Sequence, residues 1–330
     1  MRTDDVLEKF SEMMVSRMEK MKGKEWGKGW FTQAWGCSPA NLCGRSYNGA
    51  NSFFLLQYMM SEERFKFPIF ATFNQVKELG ASVLKGEKSF PVLFWKFLYK
   101  DEKGDKISEE SYKSKTLSDQ CLCKVQPVLK SYNVFNVSQT NMEEAAPKAL
   151  EKAKDSLGIK EVQECPKDTN GMYENEKLDD MLFSGKWLCP ISWKDFSNAA
   201  YYKTESDEIT IPKKEQFKKG DTKEEIFESG MEYYSTLLHE MVHSTGSETR
   251  LKRNIKNKRG DNDYAKEELV AELGAALVGN TLGFSSKILD NSAAYLDFWI
   301  SKLKKQPNFI VSVLSDAGKA AKMIQDTIEA

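Results

Sequence analysis

The sequence predicts an α+β protein, with an α+β N-terminal part followed by a mainly helical C-terminal part that carries a small sheet. Helical spacing of apolar residues opens the chain and dominates it again after residue 222. Strand-like apolar runs fall before residue 140 and again between 200 and 212. With 330 residues, 40% of them hydrophobic and 29% charged, the chain has the make-up of a soluble globular protein. Its length favours two domains over one.

Taken in order, residues 4–22 form one apolar stripe of Val6, Leu7, Phe10, Met13, Met14, Met18 and Met21, a helix whose methionines are expected in the core. A glycine-punctuated stretch with Trp26, Trp30, Phe31 and Trp35 follows, and it cannot be a regular amphipathic element. Tyr47-Asn48-Gly49 signals a turn, and Asn51 or Ser52 can cap a helix reaching about Met60, with Phe53 and Phe54 buried. Thr72-Phe73-Asn74-Gln75 is a capping box for a helix ending at Gly80. Pro91 to Tyr99 reads as a strand, with Phe94 in the core. Residues 101–120 are polar, a hairpin excursion or insertion, and Cys123 to Val137 returns as one or two strands.

Residues 141–185 read as connecting material with room for one helix, which places the domains at 1–142 and 143–330, with 143–185 partly linker. Ala200 to Tyr202 and Asp207 to Pro212 are two short strands. Thr222-Lys223-Glu224-Glu225 is a second capping box, opening a helix that ends at Gly246. Further helices are predicted from about Asp263, over 291–304 and over 308–329.

No apolar run approaches the ~20 residues needed to span a bilayer, so no membrane partner is expected. The first residues carry Asp4 and Asp5 and no apolar stretch, which argues against a secretory signal and for the cytoplasm. There, the six cysteines are expected to be reduced thiols. Net charge is −1, which excludes a uniformly basic nucleic-acid binder. The distribution is uneven, however. Lys20 to Lys100 holds twelve Lys or Arg against five Asp or Glu, with seventeen aromatics. Such asymmetry suggests a polyanion partner for that segment.

The chemistry concentrates in His239-Glu240-Met241-Val242-His243. These are the chain's only two histidines, and on a helix the i, i+4 spacing puts both on one face. Two imidazoles so placed can share Zn2+ or another divalent metal such as Mn2+, with Glu240 beside them as general base. A catalytic site needs a third protein ligand, and with no histidine left it must be a carboxylate, a thiolate or something weaker. Glu268 and Glu272 share a helix face, and Gly274, Ala275 and Ala276 would let that helix approach closely. Glu268 is the candidate third ligand, Glu267 its competitor, and Glu272 the candidate acceptor for an imidazole N–H. If the site is catalytic, the strand Asp207 to Ile211 offers edge pairing for an extended peptide. Tyr264 and Arg250 are candidates for stabilising an oxyanion.

Several stretches together resemble the ArdC-type antirestriction proteins of mobile elements. In the N-terminal half these are Trp26-x-x-x-Trp30, Asn41-x-x-Gly44-Arg45-x-Tyr47-x-Gly49-x-Asn51, Thr72-Phe73-x-Gln75, Gly80 to Lys88, and Val134 to Thr140. In the C-terminal half they are Asp207-x-Ile209-x-x-Pro212, Tyr233 to Gly246, Arg250-Leu251-x-Arg253, Tyr264 to Glu272, and Ala294 to Lys304. Two departures stand out: Ser244 replaces the family's usual tryptophan after the second histidine, and 101–120 looks inserted. The resemblance implies a single-stranded-DNA-binding domain joined to a zincin-like metallopeptidase domain, and shielding of incoming single strands from restriction. Basic residues interleaved with aromatics suit such a partner. Trp26, Trp30, Arg45, Tyr47, Lys85 and Lys88 are the candidate DNA contacts. The alternative is a zinc-dependent peptidase whose N-terminal domain recognises a protein or peptide.

Overall fold

The computed structural model describes residues 3–21, 30, 35–60, 64–158, 171–195, 199–255, 262–286 and 295–330. Helix α1 (Thr3–Met21) buries Val6, Phe10, Met14 and Met18, so the methionine stripe is core packing. After the short strand β1 (Ala40–Asn41) comes α2 (Gly49–Met59), whose Phe53, Phe54, Leu55 and Leu56 are buried. Strand β2 (Ile69–Ala71) leads to α3 (Phe73–Glu78). Thr72 and Gln75 form the expected capping box, and Gly80 follows with a positive φ of 74°.

Strands β3 (Phe90–Lys100) and β5 (Lys124–Asn136) pair antiparallel along their length, from Phe90 opposite Val134 to Lys100 opposite Lys124. The excursion between them holds β4 (Lys106–Ile107), α4 (Glu109–Lys113) and α5 (Leu117–Leu122), the helices capped by Ser108 and Thr116. The five-stranded sheet runs β1–β2–β5–β3–β4. Asn51 closes the open side of β3 by donating to the Leu93 carbonyl (2.6 Å) and accepting from its N–H (2.7 Å).

The segment 141–185 is more helical than its composition suggests. Among its described residues are α6 (Met142–Ala145), α7 (Pro147–Ser156) and α8 (Glu176–Phe183). Pro147 sits in the first turn of α7, where a missing N–H costs nothing, rather than breaking a helix. Asn175 caps α8.

A three-stranded sheet follows, β6 (Ile191–Lys194), β7 (Tyr201–Lys203) and β8 (Glu208–Pro212), in the order β6–β8–β7. Strand β8 is therefore central, paired on both sides. The edge pairing expected of Asp207 to Ile211 is unavailable, and the open edges of this sheet belong to β6 and β7. Helices α9 (Lys223–Thr245), α10 (Asn262–Thr281), α11 (Leu296–Lys305) and α12 (Phe309–Glu329) complete the chain. The Thr222/Glu225 capping box starts α9 as expected.

The core is continuous from α1 and α2 through to α12. Ser11 on α1 donates to the Leu303 carbonyl of α11 at 2.9 Å. A Cβ on Gly318 of α12 would stand 2.8 Å from the Gly49 Cα, so the two backbones touch where α12 crosses α2. Gly274 performs the same service between α10 and α9, where a Cβ would meet Val242 Cγ2 at 2.8 Å. That close approach carries the candidate ligand helix onto the histidine helix.

Candidate metal centre and nucleic-acid surface

Helix α9 is amphipathic only in its first turns. From Tyr233 to Glu240 every side chain is buried, because α10, α12 and the small sheet cover it. His239 and His243 project one turn apart toward α10. Their Nε2 atoms stand 3.1 Å from each other. His239 Nε2 is 3.7 Å from Glu268 Oε2, and His243 Nε2 is 3.5 Å from Glu268 Oε1.

These three side chains could hold a metal ion, their ligand atoms all lying within 4.8 Å of one another. The spacing fits a divalent ion, since tetrahedral bonds of about 2.1 Å imply donors about 3.4 Å apart. A second observation agrees. Glu268 Oε2 is buried without a hydrogen-bond partner, a cost of about 1–3 kcal/mol or more for a charged group that a cation would remove.

The outer nitrogens face carboxylates. His243 Nδ1 lies 3.2 Å from Glu267 Oε1. Glu267 is in turn gripped by Arg253, through Nε at 3.0 Å and Nη2 at 2.7 Å. Glu267, the competitor for the third position, thus stands behind a histidine rather than beside the other ligands. His239 Nδ1 is 3.7 Å from Glu272 Oε1, facing it but beyond hydrogen-bond reach.

Burial opposes charge on both imidazoles, yet the carboxylates outweigh it. The His239 pKa is raised by Glu268 and Glu272, and that of His243 is raised to about 10 by Glu267 and Glu268. Glu268 is held below the carboxylate range by the two imidazoles despite its burial. Buried charges of both signs therefore compensate one another here.

Glu240 lines a small cavity of about 150 Å³ together with Tyr201, Tyr202, Tyr264 and Glu267. The Tyr202 N–H donates to Glu240 Oε2 at 2.7 Å. The β7–β8 hairpin that carries Tyr202 is clamped in place. Arg250 reaches both Asp207 oxygens (Nη1 to Oδ2, 3.0 Å) and donates from Nε to the Ser244 carbonyl at 2.7 Å. The Tyr202 hydroxyl donates to Asp207 Oδ1 at 2.6 Å. Arg250 is thus committed to this clamp and does not line the cavity, whereas Tyr264 does. Sequence reasoning missed Arg253 and the Tyr202 N–H. The first had a signal, an arginine ten residues past the motif; a backbone donor has none.

The candidate DNA contacts scatter. Trp26 lies outside the described residues. Trp30 is 1% exposed and packs its edge against Phe53, so no base can stack on it, and its ring belongs to the core. Arg45 is exposed and Tyr47 half-buried, with the Tyr132 hydroxyl beside it. Both line a cleft of about 620 Å³ against α12. Lys85 and Lys88 are exposed but do not line that cleft.

The structure presents a different cationic surface. Phe94, expected in the core, is 39% exposed, and Trp95, Phe97, Val125 and Tyr132 are exposed with it, because the outer half of the β3–β5 ribbon projects beyond α2. Strand alternation and the register put Phe94, Lys96 and Lys100 on one face with Lys124, Lys130 and Tyr132. The Phe94 and Tyr132 rings meet edge to face at 5.4 Å. The period-two pattern of these residues was the available signal.

Comparison with known proteins gives both halves a counterpart. Residues 4–135 match the N-terminal domain of anti-restriction factor ArdC, and residues 189–316 match a zincin-like metallopeptidase family. The crystal structure of the antirestriction ArdC protein from R388 plasmid in its metal-free form is similar over 98% of both chains, with a TM-score of 0.69 and 26% identity. Its Mn(II)-bound form is similar over 98% of this chain and 97% of that one, with a TM-score of 0.66 and 25% identity. A DNA primase TraC of Escherichia coli is 30% identical over 277 residues, covering 84% of this chain but 17% of the primase. The chain therefore spans about a sixth of that relative's length. Among the described residues, no helix is long and apolar enough to cross a membrane.

Proposed function

The chain joins an ArdC N-terminal domain to a zincin-like metallopeptidase domain, and from that premise we propose that it is an antirestriction protein that binds single-stranded DNA and holds a divalent metal. The boundary we draw falls between residues 142 and 143. The observation that carries the DNA reading is the ribbon face, where Lys96 and Lys130 adjoin Phe94 and Tyr132 and Lys100 and Lys124 continue the same face toward the ribbon's end. Aromatic faces accept any base and lysines neutralise the backbone, the recipe of a sequence-tolerant single-strand surface. Coating an incoming strand in the cytoplasm would deny it to restriction enzymes. The test is fluorescence anisotropy of a labelled single-stranded oligonucleotide and its duplex across a salt series. Tighter binding of the single strand, weakening steeply with salt, is expected; no single-strand binding at low salt would sink the reading.

His239, His243 and Glu268 would hold Zn2+ or Mn2+, with Glu267 and Glu272 behind the imidazoles. A second reading, a peptidase acting on a protein or peptide, is favoured by one observation, the hydrogen bond from the Tyr202 N–H to Glu240 in the cavity that the two histidines line. A divalent ion held by His239, His243 and Glu268 would supply Lewis acidity. Glu240 is placed to take a proton from a nucleophilic water, and the open edge of β7 is placed to pair with an extended chain. Peptide hydrolysis by the metal-loaded protein and by Glu240→Gln checks this. Equal rates in the two would remove the peptidase reading.

A further inference from the structure

The single-strand reading rests on the N-terminal half alone, yet the ribbon does not end in free solvent. Its other face, bearing Trp95 and Leu129, looks across a cleft of about 350 Å³ at helix α12. That volume lies within the range of about 300–1,000 Å³ seen for small-molecule sites. Asn48 and Asn51 lie on one side, and Lys319 and Lys322 on the other. No carboxylate lines the cleft among the described residues.

We propose that this seam is part of the DNA-binding site, the strand crossing from the N-terminal ribbon onto helix α12, with a base against Trp95 and phosphates at Lys319 and Lys322. The inference depends on the single-strand reading and extends it to the metallopeptidase half. Its components differ in readiness. Trp95 is 58% exposed, an indole presented to solvent with no folding reason to be there. Lys319 is exposed and has no ion-pair partner among the described residues. Lys322 is held by Asp326 at 2.7 Å, one helical turn on. Asn51 is fixed by its two bonds to Leu93, which makes that wall rigid.

The floor is set by the contact of Gly49 with Gly318, which brings α12 near enough to the ribbon for one strand to touch both. The cleft continues past Asn48 and Lys322 into the larger one lined by Arg45 and Tyr47. Arg45 and Tyr47 therefore join the same path along α12, where Arg45, Lys177 and Lys322 stand against two carboxylates, Asp326 and Glu329. Stacking on an aromatic with lysines at the phosphates is what a single strand requires and a duplex, with its bases hidden, does not offer.

The experiment uses the full chain and a labelled oligothymidylate. Anisotropy titrations over a salt series compare wild type, Trp95→Ala, the double variant Lys319→Ala/Lys322→Ala, and a charge-matched control, Lys218→Ala/Lys305→Ala. The α12 double variant is expected to bind about tenfold more weakly, with the slope of log K against log salt shallower by about 1.4, two phosphate contacts at about 0.7 each. Trp95→Ala is expected to lose about tenfold with the slope unchanged, and the control to match wild type. Equal affinity and slope in the α12 double variant and wild type would overturn the seam while leaving the single-strand reading intact. No binding by wild type would overturn both. Photocrosslinking of 5-iodouracil oligonucleotide to wild type, with mass spectrometry, provides a check that needs no variant. Adducts at Trp95 or within 311–329 support the seam, and adducts confined elsewhere overturn it.

Discussion

The cleft between α9 and α10 buries five ionisable side chains, His239, Glu240, Glu267, Glu268 and Glu272. The outer β3–β5 ribbon exposes five large apolar ones, Phe94, Trp95, Phe97, Val125 and Tyr132. Each region reverses the ordinary partition of charge to the surface and apolar area to the core. The reversals differ in how they are sustained. The buried charges largely compensate one another within a shell that Arg253 completes, and the unpartnered Glu268 Oε2 leaves room for a cation. The exposed rings have no such compensation among the described residues, and a bound ligand would cover them. A self-consistent interior suits a small ion, and an unfinished exterior suits a polymer.

The contrast breaks most easily at the tryptophans. Trp30→Ala removes a core ring and is expected to cost about 3–5 kcal/mol, whereas Trp95→Ala should fall within about 0.5 kcal/mol of wild type. Equilibrium denaturation of both variants measures the difference, and equal losses would show that the ribbon is core after all. Next in size, Glu268→Gln or His243→Ala should reduce Mn2+ or Zn2+ affinity by about 100-fold or more while sparing DNA binding, as calorimetry and anisotropy would record. Glu267→Gln acts through His243 and should cost about 10–100-fold in metal affinity. A change below twofold would mean that this carboxylate does not set the imidazole's orientation. On the ribbon, Lys96→Ala/Lys130→Ala should weaken single-strand binding about tenfold and leave metal binding as it was.

The smallest effect concerns the clamp under Tyr202. Arg250 holds the Asp207 carboxyl below its usual range. A carboxyl with a lowered folded pKa contributes stability above its unfolded value, near 3.9, and loses it as pH falls through the folded value. Asp207 is 41% exposed at its side chain, so solvent screening limits the contribution to less than about 1 kcal/mol. Asp207→Asn should therefore be slightly less stable than wild type at pH 7, with the gap closing below about pH 4. A gap that widened in acid would contradict the ion pair.

Much of the site was legible because its logic is local. Two histidines at i, i+4 with a glutamate between them carry their own geometry, and the helix of small residues that bears Glu268 announced a close approach that Gly274 makes. Both capping boxes, at Thr72 and at Thr222, were legible for the same reason. What depended on distant pairing was not. Phe94 and Trp30 were assigned opposite fates because exposure is decided by what α2 and α12 cover, which no local pattern encodes. The lysine face of the ribbon required the strand register. The helix α7 was obscured by a proline whose position, in the first turn, is harmless.

The meeting of Gly49 with Gly318 has a consequence for ancestry. Two modules joined by a linker can be exchanged separately, but these two halves share a backbone contact in a continuous core. Cutting between them would open the part of the core that they share. Recombination is therefore expected to move them as a single cassette, and the stretch that corresponds to a TraC primase does take in 277 residues from both sides of the seam.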